Sequence, residues 1–248
     1  MHALLEFPAA QWRAFLHPSQ RRMIERHYGG PARIIGGAGT GKTVVIVHRA
    51  KYLSQFCGTD EKILVTSFNK SLVADIEERL STICNTSELA KIEVLTVDKK
   101  AYDITQKIGY SIKYGRNIES IWRYAIAKSG VETKYSIEFV QDEWTDVIQA
   151  QQIETKDDYF KAIRTGRSKR LDQASREQLW LIFCAYKERC RKLRVVDRDW
   201  AQNLCAAECK LHPEQYKYHS ILVDECQDLC APAYRLLRAM AGSQRQDD

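Results

Sequence analysis

Short apolar runs and stretches of helical period alternate over the first hundred residues. Ile34-Ile35 is a brief apolar run that reads as a strand leading into a glycine cluster, and the helix-compatible Val44-Val45-Ile46-Val47 follows it. A helix is expected from Lys42 to about Leu53, with Cys57-Gly58-Thr59-Asp60 turning the chain behind it. Ile63-Leu64-Val65-Thr66 reads as a buried strand, residues 71–80 as a helix, and Ile92-Glu93-Val94-Leu95-Thr96-Val97 as a further strand. Upstream, Pro8 precedes one helical stretch (Gln11 to Leu16), and Pro18 opens a second that Gly29-Gly30-Pro31 stops. From about Lys99 to Tyr218 strand-like runs largely vanish. Leu179, Ile182, Phe183, Tyr186 and Cys190 keep the i, i+3, i+4, i+7 spacing of one apolar helix face. The alternation resumes at Ser220-Ile221-Leu222-Val223. Strand–helix–strand order on this spacing predicts a parallel α/β sheet with right-handed crossovers. Ligands of such sheets lie at the carboxyl ends of the strands.

Composition adds bounds. The net charge is +6, a mild lean toward anionic partners. It is uneven: residues 161–198 hold twelve Lys/Arg against four Asp/Glu, densest from Arg164 to Arg170. Arg164 and Arg167 are candidate phosphate-backbone contacts in that knot, the alternative being a solvated helix face. No apolar run approaches the roughly 20 residues of a membrane span, and a secretory leader pattern is lacking at Met1 to Glu6. Eight cysteines occur with no CxxC spacing, so reduced thiols in a cytoplasmic protein are expected. Cys205, Cys209 and His212 lack a convincing fourth ligand and read as core rather than as a metal site.

The chemistry concentrates in two stretches. Gly36-Gly37-Ala38-Gly39-Thr40-Gly41-Lys42-Thr43 fits the phosphate-binding loop, in which glycines let backbone N–H groups close around a phosphate at a helix N-terminus. Gly37, Ala38, Gly39, Thr40 and Gly41 would line the cradle. Lys42 would place a charge between β- and γ-phosphates, and the Thr43 hydroxyl would hold Mg²⁺. About 180 residues on, an apolar strand runs into Asp224-Glu225-Cys226-Gln227-Asp228. There Asp224 is a Mg²⁺ partner and Glu225 the group that polarises an attacking water. Gln20, at a helix start upstream of the loop, carries an amide suited to the N6/N7 edge of adenine.

Gln20, Gly36–Thr43, Val65–Lys70, Val94–Asp98 and Asp224–Asp228 resemble, in order, the first motifs of UvrD/Rep-type superfamily 1 helicases. The Asp-Glu-x-Gln-Asp form is the most discriminating. The chain departs at Val44, where many members carry Arg, at Ser67-Phe68, which stand in exchanged order, and at Asp98, where members usually have His. The resemblance implies a RecA-like P-loop NTPase domain (residues 1–98 and 219–248), its parallel sheet incomplete, with a mainly α-helical inserted subdomain (99–218). It implies ATP and Mg²⁺ as cofactors and single-stranded or partly duplex DNA as partner, RNA remaining open. Gln227 would sense the γ-phosphate, and Phe68, Asn69 and Thr96 would touch single-stranded nucleic acid. No Gly-Asp-x-x-Gln follows the acidic motif, so an N-terminal part of a helicase is expected, without its second motor domain. Such a part would bind ATP and hydrolyse it weakly, without unwinding. A nucleotide-gated module that clamps nucleic acid or protein without translocating is the alternative.

Overall fold

The computed structural model describes residues 16–37, 39–131, 135–166 and 169–241. The chain divides into two compact units, one of residues 1–97, 213–229 and 240–248 and one of residues 98–212 and 230–239.

The first unit is built on a parallel sheet of β1 (Ile63–Ser67), β2 (Ile92–Thr96) and β5 (Ser220–Val223) in the order β2-β1-β5. β1 pairs Ile63 with Ile92 on one side and with Ser220 on the other. It is buried along its whole length, as a central parallel strand must be, and Ile63, Leu64 and Val65 supply apolar side chains to both faces. Around the sheet lie α1 (Pro18–Glu25), α2 (Lys42–Ser54), α3 (Lys70–Ile83) and the short α4 (Thr86–Leu89). Local chemistry starts each helix. Pro18 opens α1 with its missing N–H in a position that needs none. Asn69 caps α3 by accepting from Leu72 N–H at 2.9 Å. Asn85 and Glu88 form a reciprocal capping box on α4. Val47, Ala50, Ile76 and Leu80 close with Ile63 and Val65 into the core.

One expectation fails. Residues 31–37 form no strand, and Ile35 is 81 % exposed. A strand is defined by its ladder, and this segment has no neighbour: among the described residues β5 pairs only with β1. Near the entrance of β5, Tyr218 makes an isolated parallel bridge to Ala241.

The second unit is helical, as its periodicity predicts. Its main elements are α5 (Val97–Lys107, whose first residue belongs to the other unit), α6 (Arg116–Ser129), α7 (Ile137–Glu143), α8 (Lys156–Lys161), α9 (Gln173–Leu193) and α10 (Arg198–Leu211). The short α11 (Pro213–Tyr216) returns the chain to the first unit, and α12 (Ala231–Met240) contributes residues 231–239 to the second. A two-residue parallel pair, β3 (Ser111–Ile112) with β4 (Val195–Val196), completes it. The apolar face of α9 read from the sequence is fully buried. It meets Trp122, which stacks on Tyr186 at a centroid distance of 3.6 Å, and Trp144.

α7 continues into a π-helical turn, Trp144–Gln149. Such a turn frees backbone carbonyls. Here Asn203 Nδ2 and Arg235 Nη1 both donate to the Gln149 carbonyl at 3.0 Å, and Arg235 Nη2 donates to that of Ala150. Asp197 caps α10 from within the core, accepting from Trp144 Nε1 (2.8 Å), Tyr186 Oη (2.8 Å) and Trp200 N–H (2.9 Å). Burial pushes its carboxyl above the usual range despite those donors. Cys205 and Cys209 are buried on α10, with the Cys205 thiol directed to the Ala101 carbonyl at 3.3 Å, so these cysteines are core side chains.

Candidate nucleotide site

The two chemistry-bearing stretches meet at the carboxyl end of the sheet in the first unit. α2 begins directly after Gly41, whose φ of +82° is left-handed backbone that favours glycine. A Cβ there would also stand 2.8 Å from Gln20 Nε2. Thr43, in the first turn of α2, donates its hydroxyl to Asp224 Oδ2 at 2.8 Å, across 181 residues of sequence. Asp224 follows β5, is 2 % exposed, and is held by its own N–H, which donates to the Thr66 carbonyl at 2.9 Å. Its second oxygen accepts from Glu225 N–H at 3.1 Å.

Other predicted residues occupy defined positions. Lys42 Nζ donates to the carbonyls of Gly36 (3.1 Å) and Gly37 (3.0 Å), so its charge lies against the loop itself. Thr40 donates its hydroxyl to the Gly37 carbonyl at 2.9 Å. Gly39 also has positive φ, and Ala38 lies outside the described residues. Gln20 uses both ends of its amide on the backbone: Oε1 accepts from His17 N–H (2.9 Å) and Nε2 donates to the Thr40 carbonyl (3.2 Å). It thereby ties the start of α1 to the loop. Glu225 takes a φ of +48°, uncommon for a residue with a side chain and a form of strain that concentrates at functional sites. Its carboxylate accepts from Gln227 Nε2 at 2.5 Å, so these two site candidates are joined to each other.

The hydroxyls of Thr66 and Ser67 are the functional candidates that sequence reading missed. Both are buried at the carboxyl end of β1, beside Asp224, and neither has a hydrogen-bond partner. Unpartnered buried hydroxyls are costly in an apolar core. Successive strand residues face opposite sides of the sheet, so one of these two hydroxyls, not both, can turn to the side of the Thr43–Asp224 pair and serve a hydrated cation there. The sequence signal was available: two polar residues end an otherwise apolar strand.

The nucleic-acid candidates divide. Phe68, directly after β1, is exposed. Asn69 is occupied as the cap of α3, and Thr96 is buried at the end of β2. Asp98 accepts from Arg198 Nε and Gln202 Nε2, both at 2.8 Å, which neutralises the carboxylate standing where the helicase motif usually has His. Arg164 turns inward. Its Nε and Nη2 grip both oxygens of Glu143 at 2.8 Å, with Glu143 fully buried and the Arg164 side chain 8 % exposed. Arg167 lies outside the described residues.

The UvrD/REP helicase N-terminal domain family matches residues 16–246. The chain belongs to that family. Among named members, ATP-dependent DNA helicase UvrD1 of Mycobacterium tuberculosis is 27 % identical, over 97 % of this chain and 32 % of its own length. ATP-dependent DNA helicase Rep of Escherichia coli is 23 % identical over 92 % of the chain and 34 % of its own. PcrA of Leuconostoc citreum is 23 % identical over 86 % and 29 %. The chain therefore spans about a third of the curated relatives it matches. No helix among the described residues is long and apolar enough to cross a membrane.

Proposed function

We propose that this chain is the ATP-binding portion of a UvrD/Rep-type DNA helicase, binding ATP with Mg²⁺ and single-stranded DNA. The observation that carries the reading is the Thr43–Asp224 hydrogen bond, which joins the phosphate loop to the acidic motif. Thr43 Oγ1 and Asp224 Oδ2 are the groups that would hold the cation, with one of the two unpartnered hydroxyls at the end of β1, Thr66 or Ser67, available to its water shell. Bound Mg²⁺ supplies charge neutralisation on the phosphate oxygens.

Everything else is done by the chain. Lys42 leaves the Gly36 and Gly37 carbonyls for the more strongly charged phosphate oxygens. The free N–H groups at the start of α2 receive the phosphate. Glu225 orients a water for in-line attack and takes its proton, while Gln227, already bonded to it, links that carboxylate to the state of the γ-phosphate. Exposed Phe68 offers a stacking face to an unpaired base. Unwinding is not expected of these residues by themselves, because an arginine from a facing domain contributes about 10³–10⁵ in rate to related phosphoryl transfers.

The test is nucleotide binding with and without Mg²⁺, followed by hydrolysis with and without single-stranded DNA. Lys42→Ala abolishes binding, and Glu225→Gln binds normally but does not turn over. Equal nucleotide affinity in Lys42→Ala and the parent chain removes the site assignment.

A further inference from the structure

The parallel pairing of β1 with β5 also brings together three metal-ligating side chains at the opposite, amino-terminal end of the sheet. Ile63 is in register with Ser220, and the His219 N–H donates to the Lys62 carbonyl at 2.9 Å. His219 thus stands beside the segment leading into β1, which carries Cys57 and Glu61. The Cys57 thiol, a Glu61 carboxylate oxygen and a His219 ring nitrogen all lie within 4.8 Å of one another. We propose that Cys57, Glu61 and His219 form a binding site for a borderline-soft divalent cation, zinc being the best fit, which clips the entrance of β5 to the entrance of β1.

Donor chemistry selects the class of ion. A thiolate, an imidazole and a carboxylate suit zinc, whereas Mg²⁺ and Ca²⁺ prefer oxygen-only sets. A thiolate and a carboxylate together also match the charge of a divalent ion. Tetrahedral zinc holds such ligand atoms roughly 3.4–3.6 Å apart, so the three need to close by no more than about 1.4 Å. One of the three carriers is an exposed side chain, which can make that movement. The fourth position is left to water, as in three-ligand zinc sites generally.

The surroundings orient each ligand. His219 Nδ1 lies 3.0 Å from Ser220 Oγ, and a ring that donates there presents a free lone pair at Nε2. Glu61 Oε2 accepts from Gly58 N–H at 2.8 Å, which turns the carboxylate back toward the Cys57–Gly58 turn. Lys91 Nζ bonds the carbonyls of Cys57 (2.8 Å) and Ser54 (3.2 Å), fixing the backbone that carries the thiol. Cys57 itself is buried against the core of the first unit, so its thiol has little freedom to swing away. This site is distinct from the nucleotide site: residue 219 and residue 224 lie at opposite ends of β5, roughly 16 Å apart along an extended strand. Its consequence is mechanical. A cation there holds β5, and with it Asp224, in register with β1.

The experiment uses the full chain, free of any affinity tag and stripped with a chelator, then titrated with Co²⁺ as a spectroscopic substitute for zinc. One equivalent is expected to bind with a sulfur-to-cobalt charge-transfer band and the intense visible bands of four-coordinate cobalt, and Zn²⁺ should displace it. Cys57→Ser loses the charge-transfer band, and His219→Ala binds at least about 100-fold more weakly, beyond the usual loss for a merely supporting residue. Cys184→Ser, which removes an exposed thiol elsewhere, keeps the full spectrum. The proposal is overturned by a wild-type chain that shows no charge-transfer band, by a band that survives in Cys57→Ser, or by one that disappears in Cys184→Ser. The wild-type titration decides even where a substituted chain folds poorly, and far-ultraviolet circular dichroism identifies such a chain.

Discussion

Removing the charge of Glu143 tests how the helical unit uses its arginine knot. Glu143 is fully buried at the end of α7, where both its oxygens are gripped by Arg164 at 2.8 Å and Tyr159 Oη donates to Oε1 at 2.9 Å. The arrangement raises the Arg164 pKa, chiefly through the hydrogen bonds to Glu143, and burial drives the Tyr159 hydroxyl far above its ordinary value. Glu143→Gln keeps the shape and leaves a guanidinium almost out of water with no counter-charge. Breaking a buried pair from one side costs about 3–5 kcal/mol, far above the ~0–1 kcal/mol of an exposed pair. Arg164→Ala should cost a similar amount, by stranding the carboxylate. In the double variant the two losses should fall well short of adding, because the second change relieves the charge stranded by the first. Urea unfolding followed by tryptophan fluorescence reads this unit, since Trp122, Trp144, Trp180 and Trp200, four of the chain's five tryptophans, lie in it. The same variants separate a structural role from nucleic-acid binding. Taking away one side-chain charge that neutralises a phosphate of single-stranded DNA lowers the salt slope of binding by about 0.7. Stability within about 1 kcal/mol of the parent for Arg164→Ala, with a slope reduced by that amount, would refute the structural assignment.

Three further outcomes follow from the same geometry. Asn69→Ala should destabilise the first unit by about 0.5–2 kcal/mol through loss of the α3 cap, with Asn69→Asp close to the parent; chemical denaturation read by circular dichroism decides it. Burial lifts the thiols of Cys190 and Cys209 up to about 12 and that of Cys205 to about 11, so in native protein near neutral pH exposed Cys184 should alkylate first and those three only on unfolding, which peptide mass spectrometry reads directly. Asp197 has a folded pKa above its ordinary value of 3.8, so the native state holds the extra proton, and its contribution to stability is lost as pH rises through that raised value. The stability difference between the parent and Asp197→Asn should therefore shift against the parent as pH climbs from about 4 through the mildly acidic range; a difference flat with pH contradicts it.

What the sequence makes legible here is what is decided within a few residues. Pro18 and Gly41 start helices by local stereochemistry, and the buried face of α9 follows from spacing alone, whereas Asn69, read as a nucleic-acid contact, caps α3. The pairing of Thr43 with Asp224 could also be anticipated, because a phosphate loop and an acidic strand end have one useful arrangement in a parallel sheet. Where an outcome depends on a distant partner, composition misleads. Ile34-Ile35 has strand-like residues and no ladder to join, so it forms no strand and is left exposed. Arg164 sits in a run that reads as a solvated or phosphate-binding face, yet its counter-charge is 21 positions upstream, at the end of α7 and just ahead of a π-helical turn that no simple period announces. Cys57, Glu61 and His219 are more than 150 residues apart at their extremes, and only the β1–β5 register makes them neighbours. The same strand pairing that sets Asp224 beside Thr43 at one end of the sheet must set His219 beside Glu61 at the other, because a one-residue slip of β5 would displace both. A register change that breaks one site without the other is not available to this sheet, so cation binding at Cys57 and nucleotide binding at Lys42 should be lost together in any variant that shifts β5.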